Sequence, residues 1–190
     1  MIDPKKIGFD IDGVLADTMR LFLDILLQVY GINHITLNDI TCYELQACLD
    51  VDPKIISAVN QSIIDGNYAG RLEPIEGAAR VLKRLCAYGP IRLVTARPYP
   101  GPIKMWVEEL LPPELYSVQI TATGGFDSKA DVLQTEKITY FVEDRLDTCF
   151  LLQNYDITPV LFSQLPCRFG YQRSYQCLQI TDWEHRLPAR

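Results

Sequence analysis

At 190 residues, with 48% hydrophobic and 22% charged positions, the chain is long enough for one domain with a sizeable core and too apolar for disorder. Its formal charge of −6 provides no electrostatic footprint for a nucleic-acid polymer, which is excluded as an expected partner. No run reaches the roughly 18–20 apolar residues of a membrane span, so no membrane partner is expected either. The first residues, MIDPKK, lead straight into an apolar run rather than a signal peptide, and the protein is read as cytoplasmic. Six scattered cysteines (Cys42, Cys48, Cys86, Cys149, Cys167, Cys177) form no CxxC pair and read as buried, reduced thiols.

In chain order, Lys6–Asp10 (KIGFD) is the first predicted strand, and it runs into Asp10-Ile11-Asp12-Gly13. About 60 residues then separate it from a helix starting near Ile75, far more than a βα connection needs. That stretch is itself helical in pattern over Met19–Tyr30, around Asp39–Leu49 and over Pro53–Ile64. Asp52–Pro53 supplies an N-cap followed by a first-turn proline. Residues 18–72 therefore read as a small helical cap inserted after the first strand, on a core formed by 1–17 and 73–190.

Beyond it, Ala78, Val81, Leu82 and Leu85 mark a helix that ends near Gly89–Pro90. The strand Ile91–Thr95 (IRLVT) follows, and then a helix carried by Ile103, Trp106, Val107 and Leu110, stopped by Pro112–Pro113. Val118–Thr121, Ile138–Val142 and Pro159–Phe162 read as further strands, with a helix marked by Leu146, Phe150 and Leu151 before the last. Apolar strands alternating with helices predict an α/β fold: a Rossmann-like parallel sheet with helices on both faces. In such sheets ligands bind at the carboxyl ends of the strands, near the point where strand order reverses.

The residues at those ends form a set. The first strand delivers Asp10 and Asp12, the second Thr95-Ala96-Arg97, the third Ser128-Lys129 after a Gly124-Gly125 loop, and the fourth Glu143-Asp144. Two carboxylates two residues apart on an extended segment repel one another and are costly to desolvate, unless a cation or a shared reaction offsets that. Carboxylates at a water-lined edge suit Mg²⁺, which takes oxygen ligands from one or two carboxylates and from a substrate phosphate. Asp10 is then placed to attack phosphorus, and Asp12 to protonate the leaving oxygen and activate the hydrolytic water. Thr95 and Lys129 offer a hydroxyl and a positive charge to the equatorial oxygens, and Arg97 can reach the phosphate or the rest of the substrate.

These stretches resemble the four motifs of the haloacid dehalogenase superfamily: an aspartate pair in DxDG, a Thr/Ser, a Lys and an acidic pair. The resemblance spans about residues 6–162 and includes the place of the insertion. The wording "DIDGVLADT", "VTARP" and "VEDR" is most similar to the small cytosolic 5′-nucleotidase and deoxyribonucleotidase branch. It implies Asp10 as nucleophile, Asp12 as acid/base, and Mg²⁺ held by Asp10, the backbone carbonyl of Asp12, and Asp144. The substrate it implies is a small phosphate monoester, such as a nucleoside 5′-monophosphate. Glu143 departs from the branch, where an aspartate is usual, and its role is open between metal ligand and support.

Other readings stand beside these. A phosphomutase, a sugar phosphatase and a non-catalytic protein that binds a phosphate ligand remain alternatives. A phosphonatase would need a cap lysine for a Schiff base, and Lys54 is the one lysine of residues 18–72. A receiver domain groups similar residues, but its phosphorylated aspartate follows a later strand. Structurally, Thr95 can cap a helix, Ser128 can cap a helix beside a solvated Lys129, Glu143–Asp144 can cap the helix that follows them, and Asp17 can orient the first cap helix. His34 and His185 read as bystanders, and Tyr43, Tyr68 and Trp106, which can stack on a nucleobase, read as core aromatics. The sequence leaves the oligomeric state open.

Overall fold

The β-branched and aromatic runs pair as one sheet of β1 (Ile7–Phe9), β2 (Ile91–Thr95), β3 (Val118–Ala122), β4 (Tyr140–Glu143), β5 (Thr158–Phe162) and β6 (Leu178–Ile180). The computed structural model describes residues 2–111, 118–162 and 178–180; Pro112–Pro113, Cys167, Cys177 and His185 lie outside them. Every pairing is parallel and the strand order is β3-β2-β1-β4-β5-β6. The chain therefore moves outward from β1 through β2 to β3, then returns to lay β4 on the other side of β1. The carboxyl ends of β1 and β4 flank that reversal, where a parallel sheet opens a crevice. Strand β6 was not foreseen, since three residues among polar neighbours leave no periodic signal.

Register sorts the core into two faces. Phe9 pairs with Leu93 and Val142, and Val142 with Val160; all four belong to the larger apolar cluster, with Val81, Leu82 and Leu85 of α4 (Ala78–Cys86) and Ile103 and Val107 of α5 (Gly101–Leu110). Their neighbours Val94 and Phe141 point the opposite way, onto Ala130 and Leu133 of α6 (Lys129–Thr135) and Leu152 of α7 (Leu146–Gln153). The alternation is the period of two of a strand buried on both sides. Each fully buried leucine here contributes about 2 kcal/mol through burial. In α7 the expected stripe is rotated: Thr148, Cys149 and Leu152 are buried, whereas Leu146, Phe150 and Leu151 are half-buried.

Between β1 and α4 the chain forms α1 (Thr18–Tyr30), α2 (Leu45–Cys48) and α3 (Pro53–Asp65). Asp17 caps α1 by accepting from the Arg20 amide, and Asp52 caps α3 by accepting from that of Lys54, with Pro53 in the first turn. The segment around Asp39–Leu49 forms only a 3₁₀ turn at Leu37–Asp39 and the single turn of α2, shorter than its pattern suggests. Entry and exit of this excursion are tied together: Ala16 bridges Pro74, Ile75 donates to the Leu15 carbonyl at 2.8 Å, and Asp17 donates to that of Glu73 at 2.9 Å. Phe22 and Ile25 of α1 and Ile56, Val59 and Ile63 of α3 continue the same apolar cluster as Phe9. No helix among the described residues is long and apolar enough to cross a membrane.

Candidate active site

Hydrogen bonding carries β1 one residue past its last strand position, because the Asp10 amide donates to the Val142 carbonyl at 2.8 Å. The chain then turns at once. The Ile11 carbonyl accepts from Val14, Leu15 and Ala16, and Gly13 donates to Ala16. Gly13 sits at φ +72°, and a Cβ there would fall 2.1 Å from Asp144 Oδ2. Only glycine lets this loop lie against the end of β4.

The turn separates the two aspartates that an extended segment would have set side by side. Asp10 faces Lys129, whose Nζ lies 2.9 Å from Oδ2. Asp12 faces Arg97, which donates from Nε to Oδ2 at 2.9 Å and from Nη2 to Oδ1 at 2.8 Å; the Thr18 hydroxyl adds a third bond at 2.9 Å. Each carboxylate thus has its own cation.

Lys129 is fully buried, so the solvated-lysine reading is excluded. It bridges Asp10 and Glu143, whose Oε2 accepts from Nζ at 2.7 Å. The other Glu143 oxygen accepts from the Arg145 amide at 3.1 Å, so both of its oxygens are engaged. Glutamate's extra methylene is what reaches across to this lysine, a partnership the sequence did not disclose. Thr95 is buried at the end of β2, and its hydroxyl oxygen accepts from the Arg97 amide at 3.2 Å; it caps this turn and not a helix, since the next helix begins at Gly101 with Pro100 as its N-cap. Arg97 departs from the expectation of a phosphate-facing side chain. Its guanidinium is taken up by Asp12 and by the Ile63 carbonyl of α3, 3.1 Å from Nη1.

Acid groups of Asp10, Glu143 and Asp144 lie within 4.8 Å of one another. The Asp12 carboxylate is not one of them, so its place in a metal site rests on the backbone carbonyl alone. Burial raises Asp10 to about 8, with Lys129 opposing and Glu143 and Asp12 adding to the rise. Burial, then the charges of Glu143 and Asp10, hold Asp144 well above the usual carboxylate range. Asp12 moves the other way: burial opposes ionisation, but the hydrogen bonds and charge of Arg97 outweigh it and keep its pKa low. Asp10 Oδ1 is buried without any hydrogen-bond partner. An orphaned carboxylate oxygen beside a second crowded carboxylate is a site whose electrostatics favour a hard cation with oxygen ligands.

Two aromatics behave differently from one another. Trp106 is packed against the core, donating to the Leu72 carbonyl at 2.8 Å, as expected. Tyr43 is not core: it is 47% exposed and stacks on Arg145, near enough to Asp144, Asp10 and Glu143 that their charges, added to desolvation, raise its pKa. No spacing signal marked it, because its neighbours come from β4 and the loop before α6. A cavity of about 760 Å³ opens beside Arg97, bounded by Ile63, Tyr68, Leu72, Pro102 and Trp106. His34 is exposed. Of the described cysteines only Cys149 is buried; Cys42, Cys48 and Cys86 are half-buried, because they lie on or beside surface turns and helix ends.

Residues 4–122, more than half of the chain, match the family model described as 5′ nucleotidase, deoxy (pyrimidine), cytosolic type C protein. No curated protein matches the chain. Among solved structures it is similar to a haloacid dehalogenase-like family hydrolase from Streptococcus pneumoniae (15% identity, TM-score 0.57, covering 83% of this chain and 84% of that one). A haloacid dehalogenase-superfamily hydrolase from Ehrlichia chaffeensis shares 14% identity at TM-score 0.55, over 96% of this chain and 93% of its own. A family hydrolase from Deinococcus radiodurans, solved with bound phosphate and sodium, shares 18% identity at TM-score 0.50, over 83% and 80%.

Proposed function

The chain belongs to the cytosolic type C deoxy(pyrimidine) 5′-nucleotidase family, a phosphatase family on the haloacid dehalogenase fold, and from that premise we propose that it is a Mg²⁺-dependent phosphomonoesterase acting on small esters, foremost nucleoside 5′-monophosphates, in the cytoplasm. The observation that carries this reading is the orphaned Oδ1 of Asp10, buried beside Asp144 at the reversal of strand order. Asp10 Oδ1 and Asp144, with the carbonyl of Asp12, would hold the ion. When bound, Mg²⁺ neutralises the crowded carboxylates and the phosphate that approaches them.

The rest follows from the chain's own groups. Lys129 holds Oδ2 of Asp10 from one side and so fixes the carboxylate for attack. An Asp10 oxygen forms a bond to phosphorus while the ester P–O bond breaks, leaving an aspartyl-phosphate. The departing oxygen takes a proton from Asp12, which takes it up from solvent water as substrate arrives. Asp12 then returns to the ionised form that Arg97 and Thr18 favour. In that form it accepts a proton from water, whose oxygen attacks the phosphorus and releases the Asp10 carboxylate and inorganic phosphate. Thr95 and Lys129 are the residues we assign to the phosphoryl oxygens.

We take residues 18–72 as the cap over the core of 1–17 and 73–190. The cavity beside Arg97 falls within the size range of small-molecule sites, and Tyr68 and Trp106 on its wall suit a planar base. The bound phosphate in the Deinococcus radiodurans hydrolase agrees with phosphate chemistry on this fold.

The test is phosphate release from a panel of esters after metal stripping. We expect turnover to return with Mg²⁺ and poorly with Ca²⁺, whose longer bonds would misplace the attacking carboxylate. Nucleoside 5′-monophosphates should give the highest kcat/KM. Full turnover without metal would contradict the cofactor assignment, and sugar phosphates outrunning every nucleotide would contradict the substrate class.

A further inference from the structure

Two arginines, each just beyond a strand end on either side of β1, reach from the core into the inserted helices. Arg97, after β2, is fixed by hydrogen bonds to Asp12 and to the Ile63 carbonyl at the end of α3. Arg145, after β4, is held differently. Its Cζ lies 4.5 Å from the ring centroid of Tyr43, which precedes α2, and 4.1 Å from that of Phe126, in the loop before α6. The two rings meet edge-on at 85° with centroids 5.7 Å apart, so the guanidinium touches both.

The other contacts of this side chain are weak. Nε is buried without a hydrogen-bond partner. Glu44 and Asp147 approach only to 3.8 and 3.7 Å, and both carboxylates are 79% exposed, where ion pairs contribute little. Ring faces are the main thing that holds the guanidinium. The anchors on the core side are firm. The Arg145 amide donates to buried Glu143, and the Phe126 carbonyl accepts from the Lys129 amide while its ring lies 5.8 Å from Lys129 Nζ. The clamp is therefore built from neighbours of the acidic cluster itself.

We propose that Arg145 is a positioning residue, a stacking latch that seats Tyr43 over the acidic cluster and keeps the α2 end of the cap closed on bound substrate, while Arg97 holds the α3 end as a fixed strut. Stacking is less directional than hydrogen bonding, so the α2 end is the one that opens and recloses. The single helical turn there, between Cys42 and Leu49, leaves little secondary structure to resist that motion. The latch adds binding shared by ground and transition states, so it should act on KM rather than kcat. As a statement about substrate it rests on the phosphomonoesterase reading; as a statement about the cap it does not.

The test compares Arg145→Ala, Tyr43→Ala, the double variant and Tyr43→Phe in the full-length protein, by steady-state kinetics on the best panel ester and by hydrogen exchange. Each alanine variant should raise KM about tenfold, the effect of losing stacking contacts of this kind, with kcat within about threefold. The double variant should be no worse than either single one, because the contact is shared. Tyr43→Phe should match the parent, since the ring face and not the hydroxyl is used. A loss confined to kcat, additive effects, or a Tyr43→Phe variant as impaired as Tyr43→Ala would overturn the latch. Exchange over residues 42–48 should quicken in Arg145→Ala without change in α4. Unchanged exchange there would overturn it even if no phosphomonoester proved to be a substrate, whereas quickened exchange without ester hydrolysis would reject the phosphatase reading and keep the latch.

Discussion

Lys129 has no exposed surface and stands between two carboxylates, 2.9 Å from Asp10 and 2.7 Å from Glu143. Burial disfavours its charge, but the fields of Asp10 and Glu143 outweigh that and raise its pKa, so it stays an ammonium ion. Removing one partner of a buried ionic cluster leaves the others uncompensated, which costs about 3–5 kcal/mol. Lys129→Met should therefore lower the unfolding free energy extracted from a urea melt by that much, as well as abolish activity; an unchanged urea midpoint would show that the lysine serves chemistry alone. The residue types at the strand ends were legible, because their chemistry has few other uses in that order. Their partners were not. That Arg97 turns to Asp12, or that Glu143 takes up Lys129, depends on side chains 85 and 14 positions apart meeting in space. Short-range capping by Asp17 and Asp52 was legible for the opposite reason, since donor and acceptor lie within one helical turn.

At the scale of elements, the loop after β1 and the end of β4 act as one unit through Gly13. Alanine at that position meets Asp144 Oδ2 at 2.1 Å and Cγ at 2.7 Å, and must also adopt a left-handed backbone. The strain costs about 1–2 kcal/mol, and the Asp144 side chain has to rotate out of the acidic cluster. Gly13→Ala should stay folded and need at least about tenfold more Mg²⁺ for half-maximal activity, one ligand's worth of positioning being lost. A Mg²⁺ titration that superimposes on the parent would remove Asp144 from the metal site. Long periodic elements were legible here, since α1, α3, α4 and α5 each carry an apolar stripe with clear stops. The segment around Asp39–Leu49 misled, because Ile40, Leu45 and Leu49 are buried in the core without being carried on one continuous helix. In α7 the helix was legible but its buried face was not: the sequence shows which residues are apolar, and packing decides which of them faces the sheet.

In the molecule as a whole, crowded acids at the sheet's edge couple folding to protons. Asp10 is raised to about 8 and Asp144 also rises, against an ordinary value of 3.8. Between those limits the metal-free folded chain holds protons that the unfolded chain has released, so its stability falls as pH rises. The metal-free protein should melt lower at about pH 8 than at about pH 5.5, and Mg²⁺ should raise Tm more at the higher value. Asp10→Asn should flatten that dependence, and a metal-free Tm that climbs over this interval would contradict the electrostatics described. The parallel α/β class was legible from alternating strands and helices, and with it the edge where the site lies. The sixth strand was not, for want of length.

The central claim is that Asp10 takes the phosphoryl group and Asp12 releases it. Removing Asp12 should leave attack intact on p-nitrophenyl phosphate, whose leaving group needs little protonation, and slow hydrolysis of the intermediate by roughly 10²–10⁴-fold. Mass spectrometry of Asp12→Ala quenched during turnover with Mg²⁺ measures this directly. The account predicts one added phosphoryl group on the peptide containing Asp10, and none in Asp10→Asn. A phosphoryl group mapped to any other residue, or substantial turnover by Asp10→Asn, would contradict it.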